Sequence, residues 1–587
     1  MSSFIPEPVS KRIIICCDGT WQSAVSGVKG SPSNITRLAQ CLKRVDVDDH
    51  GKTWQQIVWY DSGVGTTSSK IGKMVEGAVG GGLEGNVIEA YNFVALNWCR
   101  GDRIFCFGFS RGAYTARTIA GLISDIGICE PRNMNDFPDI WRQYKTMDSE
   151  RFYGSDAHFA WTDGKAAEKQ PQDLGYKNRN FIWEKHPHGD WAQTSESREI
   201  ELVGVFDTVG AIGMPSMHGF EARLPWKEDD PKFHNVKLNR NIKRAFQALA
   251  LDEHREAFAP TLYHLPEGIS ASDAQLEEQR QKVQAAEADF YAHRYDQETP
   301  QEKRQAIHDK YNEARRELVR IQESRKPQSE LLQVWFPGVH INNGGGSSDT
   351  LKNEGDMEEM ANITFAWMLD QIRPYLAINE TVIHQEYRNR QIYIDELNEI
   401  VRKYQEDKRK QEEAHVEETY AQSFRRLASN AASYVTHPLS KKGPDLRRRD
   451  YGWGTGTIID SYTAMYYANG SQARTPGAYH KDKKHAAPGL TNEQVHPSVG
   501  FRMFATKEEK DPKLRYTPIG MDTDKFIRLP NASGGWGYSI NGIVLPEYVL
   551  KRRSDFGGSP GYETLAIQGD KASSYVQAVY GHPIYEH

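Results

Sequence analysis

The stretch Arg103-Ile104-Phe105-Cys106-Phe107-Gly108-Phe109-Ser110-Arg111-Gly112-Ala113-Tyr114 decides how the chain is read. Its first five residues form a short apolar run of the kind found in strands buried on both faces of a parallel sheet. A helix-like stretch follows from Ala113 to Ile123. At the junction, Gly108-Phe109-Ser110-Arg111-Gly112 matches the G-x-S-x-G nucleophile elbow. There a serine occupies a strained strand-to-helix turn and presents Oγ at the carboxyl edge of the sheet. Small residues on either side relieve the crowding, and the helix N-terminus favours a developing oxyanion. The same pentapeptide also occurs as a Gly-flanked packing turn. The strand before it and the helix after it make Ser110 the candidate nucleophile.

Working outward, the alternation recurs. Lys11–Cys17 reads Lys-Arg-Ile-Ile-Ile-Cys-Cys and stops at the turn residues Asp18-Gly19-Thr20. Further apolar runs lie at Gln56–Tyr60, Glu199–Phe206 and Leu331–Phe336. Between them, Val87, Tyr91, Val94 and Trp98 fall on one face of a helix. Strands alternating with helices predict an α/β fold with a doubly wound, mostly parallel sheet of the α/β-hydrolase kind.

Behind an elbow serine, the acid and then the histidine follow in chain order. Asp207 closes the run Ile200–Phe206 and so stands at the carboxyl end of a strand, where active-site loops gather. Its alternative reading is an Asp that caps the next turn. Asp252 and Glu253 compete, but they follow Phe246–Leu251, which reads as a helix. His340 lies between Val334–Val339 and the glycines Gly344, Gly345 and Gly346, on a loop able to bring its ring onto the serine. His496 is its main rival. The oxyanion hole requires backbone N–H groups; Arg111 supplies one, and Gly19 or Thr20 after the first strand supplies the other. Gly77–Gly85 follows no strand and lacks Lys-Ser/Thr, which argues against a phosphate loop. No HExxH or CxxC pattern occurs, so no metal and no cofactor are expected.

Composition narrows the class. The 587 residues are 38% hydrophobic and 26% charged, with a net charge of −6, which gives no basic field for nucleic acid. All six cysteines lie within the first 129 residues, and several sit in strand-like runs, the pattern of buried reduced thiols rather than a disulfide framework. The N-terminus lacks a basic start followed by an apolar segment, so no signal peptide is expected. No predominantly apolar run reaches the ~18 residues of a membrane-spanning helix. The expected location is cytoplasmic, with peripheral contact at membranes.

Three regions are expected. Residues 1–377 form the hydrolase core, interrupted at 270–326 by a helical hairpin whose Ile307, Tyr311, Ala314, Leu318 and Ile321 make a seam. Residues 378–430 form a charged helical segment. Residues 431–587, rich in Gly, Pro and aromatics, pack on the core without a legible architecture. Because the hairpin enters between Asp207 and His340, it is expected to arch over the active site and gate apolar substrates. The plainer alternative is a solvated spur or self-association arm.

Several segments together resemble a known family. They are Cys17-Asp18-Gly19-Thr20-Trp21 with Asn34-Ile35-Thr36-Arg37-Leu38; Tyr60-Asp61-Ser62-Gly63-Val64-Gly65-Thr66; the elbow; Val205-Phe206-Asp207-Thr208-Val209-Gly210; Ala250-Leu251-Asp252-Glu253-His254-Arg255; and Phe336-Pro337-Gly338-Val339-His340. The chain resembles the fungal-type branch of the α/β-hydrolase domain family that includes the catalytic domain of bacterial type VI secretion phospholipase effectors. The resemblance spans roughly 11–370, and beyond 379 rests on Arg474-Thr475-Pro476-Gly477 and His496-Pro497-Ser498-Val499. It implies a Ser110–Asp207–His340 triad and ester hydrolysis on phospholipid-like substrates. One departure stands out: Ile341-Asn342 replaces the family's Ser-Asp. The function expected is a serine carboxylic ester hydrolase. Its alternatives are a hydrolase of small soluble esters and a catalytically silent binding scaffold.

Overall fold

The computed structural model describes residues 9–19, 32–63, 81–135, 137–145, 152–162, 194–210, 236–266, 270–293, 296, 298–346, 358–413, 451–458, 460, 462, 470–479, 490–507, 515–521, 526–530, 535–540 and 543–580. Eight strands form the main sheet: β1 Ser10–Cys17, β2 Val45–Val47, β3 Thr53–Asp61, β4 Arg103–Phe109, β5 Leu202–Phe206, β6 Arg244–Ala250, β7 Glu330–Phe336 and β8 Glu493–Val495. Their order is β2-β3-β1-β4-β5-β6-β7-β8. Only the β2–β3 pair is antiparallel. The fold is α/β with a mostly parallel sheet.

The two faces of β1 show why the sheet is covered on both sides. Ile13, Ile15 and Cys17 point into one core and Ile14 and Cys16 into the other, all of them buried. Burying each isoleucine contributes ~1.5–3 kcal/mol, so neither face can stay wet. On the first face lie helices α2 (Gly81–Asn97) and α3 (Arg111–Ile126), with α4 (Phe137–Lys145) and α5 (Asp156–Thr162) packed beside them. Val87, Tyr91, Val94 and Trp98 face the sheet there. Helices α1 (Asn34–Cys41) and α9 (Glu358–Ile372) cover the other face, where Trp367 is fully buried. The strand order reverses between β1 and β4, and the crevice at the carboxyl ends of these strands is where open α/β sheets bind ligands.

One element departs from the sequence reading. Phe246–Leu251 lies largely in β6, not in a helix. Ala and Leu favour helices in isolation, but here the segment is paired on both sides, with β5 and β7. Tertiary pairing outweighs that weak preference. Asp252 and Glu253 therefore do follow a strand.

The second departure is the hairpin. Helices α6 (Asp273–His293) and α7 (Gln301–Arg325) pack along a seam in which Phe290 stacks on Tyr311 at 5.2 Å. Its base sits at the amino edge of the sheet. Arg240, ahead of β6, donates to Ser324 O at 3.0 Å and Lys326 O at 2.7 Å. Arg198, ahead of β5, pairs with Glu323 at 3.2 Å. The chain has already crossed the sheet before the hairpin begins. Thr261 N donates to Thr208 O beside Asp207, and Tyr263 N to Gln333 Oε1 midway along β7. A strand's length of ~20 Å separates the hairpin base from the carboxyl edge, so the hairpin is not rooted in the loops around the serine. Replacing 273–324 with a short Gly/Ser linker is expected to leave phosphonate labelling at Ser110 and the preference between long and short acyl esters unchanged. A shifted chain-length profile would contradict this placement.

Beyond the core, helix α10 (Glu380–Glu413) lays Ile394, Leu397, Val401 and Tyr404 against Tyr451. The C-terminal region contributes β8 and helix α11 (Pro497–Thr506). It also forms a separate antiparallel sheet of β9 (Ile527–Pro530), β10 (Trp536–Ile540) and β11 (Ile543–Pro546). Trp453, Tyr548 and Tyr562 from this region enter the core beneath α9. Among the described residues no helix is long and apolar enough to cross a membrane. All six cysteines are free thiols, five of them buried.

Candidate active site

Ser110 joins β4 to α3 with φ 60° and ψ −125°, a backbone conformation that costs a non-glycine residue ~1–3 kcal/mol. The strain is held by the packing around it. Ser110 N donates to Phe206 O at 3.1 Å, which ties the turn to β5. A Cβ on Gly112 would meet the Cys17 and Asp18 carbonyl oxygens at 2.3 Å, so only glycine lets α3 pass so close to β1. Gly112→Ala is expected to cost about 1–3 kcal/mol of stability, read in a denaturant titration, because backbone cannot yield as a side chain can.

Asp207 follows β5, and His340 follows β7 and opens the short helix α8 (His340–Gly344), so all three candidate residues reach the carboxyl edge of the sheet. His340 Nε2 lies 2.7 Å from Ser110 Oγ, and His340 Nδ1 lies 2.6 Å from Asp207 Oδ2. An ionised carboxylate only accepts, so Nδ1 carries the proton and Nε2 is free to accept from the serine hydroxyl. Phe109 stacks on the imidazole at 4.8 Å and Phe258 meets it edge-on at 5.0 Å. Gly344 accommodates the same phenyl group: a Cβ there would stand 2.2 Å from the Phe109 ring. Asn342 caps the turn that carries the histidine, with Oδ1 accepting from Val339 N at 2.9 Å and Nδ2 donating to Thr457 O at 3.3 Å. The asparagine thus retains the acceptor that an aspartate would offer there.

Asp207 is fully buried and, like Ser110, has positive φ, at 43°. Burial alone would raise its pKa. The Arg474 guanidinium and the His340 contact overcome that and hold it at about 2. Its Oδ1 accepts from Arg474 Nη1 at 2.5 Å and Ala250 N at 2.9 Å, and its Oδ2 accepts also from Arg474 Nη2 at 3.0 Å. Sequence reasoning missed Arg474 in this setting. It comes from a region without periodicity, and nothing local to it marks the contact.

The rivals have other partners. Asp252 accepts from Gly338 N, Tyr516 OH and Ile519 N. Glu253 accepts from His340 N at 3.2 Å and forks with Arg255, so it holds the histidine's backbone rather than its ring. His496 caps α11, its Nδ1 with Ser498 Oγ at 2.7 Å and its Nε2 with Glu563 Oε1 at 3.0 Å. Burial pushes it down to about 3.

On the oxyanion side the picture changes. The loop after β1 borders the serine: a Cβ on Gly19 would lie 3.5 Å from Ser110 Cβ. The Gly19 N–H, however, donates to Asp18 Oδ1 at 2.7 Å, so this expected donor is already held by a carboxylate. The other oxygen of Asp18 accepts from Ser33, Thr36 and Tyr60. Thr20 lies outside the described residues. The Arg111 N–H is in the first turn of α3, at the positive end of the helix dipole. Among the described residues no cluster of His, Cys, Asp or Glu is arranged to hold a metal ion.

Comparison with known proteins bears on this geometry. An uncharacterized protein of Saccharomyces cerevisiae, YEL023C, is 24% identical over 265 residues, which cover 42% of this chain and 32% of that protein. The chain thus spans about a third of the length of this curated relative. The structure of the Tle1 effector bound to the VgrG spike from the type 6 secretion system is similar at 17% identity and a TM-score of 0.27, over 58% of this chain and 51% of the other. An uncharacterized protein from Pseudomonas aeruginosa is similar at 15% identity and a TM-score of 0.25, over 72% and 62%. The family model for the type VI secretion (T6SS) phospholipase effector Tle1-like catalytic domain matches residues 11–371, well over half the chain and the part that contains Ser110, Asp207 and His340. The protein is therefore a member of the Tle1-like phospholipase effector catalytic-domain family.

Proposed function

We propose that the protein is a serine carboxylic ester hydrolase of α/β-hydrolase type, acting on phospholipid-like or other apolar acyl esters. The observation that carries this reading is the unbroken line from Ser110 Oγ through the His340 imidazole to the Asp207 carboxylate, at 2.7 and 2.6 Å. Ser110 attacks the acyl carbon while His340 Nε2 takes its proton and returns it to the leaving alcohol. Asp207 holds the tautomer and stabilises the imidazolium. The Arg111 amide and a donor of the loop at Gly19–Thr20 receive the oxyanion; each donor contributes about 3 kcal/mol. Water then releases the acyl group, without a cofactor.

Family membership supports a lipase-type hydrolase and a lipid substrate, with peripheral contact at membranes as its corollary. The yeast relative supports placement in a fungal branch. Self-association through the hairpin at 270–326 belongs to the same reading, and light scattering of the linker-replaced chain tests it. The deciding experiment is fluorophosphonate labelling with intact mass and peptide mapping, followed by a panel of phospholipids and short-chain esters. A single adduct on Ser110 and preference for long-chain esters are expected. Preference for short esters would move the assignment to soluble substrates, and absence of any adduct would leave a binding scaffold.

A further inference from the structure

We propose that Arg474 is a positioning residue for the catalytic acid, so that a segment beyond the matched residues 11–371 completes the active site. This rests on the triad reading above. To act as a base, His340 must be neutral in the resting enzyme. A fully buried carboxylate facing a neutral imidazole is an uncompensated anion, which is strongly disfavoured. The simplest relief would be a proton on His340, and that proton would disable the base.

Arg474 removes the conflict by supplying the countercharge itself. Its Nη1 and Nη2 fork onto Oδ1 and Oδ2 of Asp207 at 2.5 and 3.0 Å, which sets the plane of the carboxylate. Oδ2 is thereby aimed at His340 Nδ1, 2.6 Å away. The fork cannot swing, because Nη1 also donates to Ala250 O at 2.6 Å and Nη2 to Phe258 O at 2.8 Å. The segment is anchored as well. Glu256 N donates to Gly470 O at 3.2 Å, Gln472 N to His254 O at 2.8 Å, and Gly477 N to Glu493 Oε1 at 2.8 Å. Arg474 is 3% exposed, so water does not screen the pair.

Among the described residues, three charged groups are arranged around His340. Asp207 stands after β5, Arg474 comes from the C-terminal region, and Glu253 after β6 is neutralised by its own fork with Arg255. Removing the Arg474 charge therefore leaves Asp207 to be compensated by an imidazolium. The acid limb of the rate profile moves to higher pH.

Two full-length variants test this on a soluble ester, with kcat and KM measured across pH. Arg474→Gln is expected to lower kcat about 100-fold with KM nearly unchanged and to move the acid limb up by about one pH unit. Arg474→Lys keeps the charge but not the fork, so the limb stays in place and kcat falls about tenfold. A purely structural arginine would lower the melting temperature and leave the pH profile where it was. A folded Arg474→Gln protein with the parental limb and kcat overturns the proposal. If that variant does not fold, an Arg474→Lys protein with parental kcat overturns it. Asp207→Asn in the same assay separates the two ideas: full activity there sinks the triad, whereas inactivity beside unaffected Arg474 variants sinks only the role of the arginine.

Discussion

Ser110→Ala is expected to lower turnover by roughly 10⁴–10⁶-fold and to abolish phosphonate labelling, while the circular dichroism spectrum stays that of the parent. The residue is 8% exposed and, among the described residues, its hydroxyl meets His340, so removing Oγ disturbs little packing. The strained backbone offers a second, independent readout. Alanine keeps a Cβ at φ 60° and so keeps the strain, whereas glycine releases it. Ser110→Gly should be equally inactive yet more stable than Ser110→Ala by about 1 kcal/mol, since the strain relieved exceeds the added entropy of the unfolded chain. Labelling that maps to any other serine would remove Ser110 from the mechanism. Equal stability of the two variants would mean that the turn is not under load.

The second large effect falls on the other two members. His340→Ala and Asp207→Asn are each expected to lower kcat by about 10⁴-fold, the asparagine by presenting a donor where the imidazole N–H must donate. A fully active His340→Ala, with His496→Ala inactive instead, would overturn the assignment. Activity is expected to fall with decreasing pH, because a protonated imidazole cannot accept from the serine. Stability should follow a lower window. Asp207 and Glu253 are held at about 2, below their ordinary values of 3.8 and 4.5. A depressed carboxylate contributes stability that is present above its unfolded pKa and lost as pH falls through the folded one, here between roughly pH 4.5 and 2. For Asp207 the contribution is about 2 kcal/mol. The asparagine variant should be less stable at neutral pH, where it leaves Arg474 without its carboxylate, but should lose less on acidification. Denaturant titrations at pH 6 and pH 3 measure both.

The residues of the core were legible because their information is local. Three consecutive isoleucines before a turn can only be a strand covered on both faces, and the elbow carries its own strand, glycines and helix within 20 residues. Asp207 was readable for the same reason, as a carboxylate at the end of an apolar run. β6 was not, because its alanines and leucines fit two kinds of element and only the neighbours on either side decide between them. The placement of the hairpin was beyond reach for a different reason. Chain order says that it lies between the acid and the base, but not that residues 261–266 first carry the chain back across the sheet. Arg474 was the least legible of all. The resemblance marked Arg474-Thr475-Pro476-Gly477 without a role, the segment has no periodicity, and the partner of the arginine lies 267 positions away in sequence.

That separation has a consequence in time. A ribosome finishes His340 well before it reaches Arg474, with roughly 130 residues still to add, about ten seconds of synthesis at ~5–20 residues per second. Throughout that interval the emerging core has its serine, its acid and its histidine, but Asp207 has no cation to bury itself against, and β7 has no β8 at its open edge. On that proposal, the sheet can assemble before the carboxylate of Asp207 is fixed in its plane. On the proposed role of Arg474, a chain that ends before it would carry the triad residues with turnover lowered about as far as in Arg474→Gln.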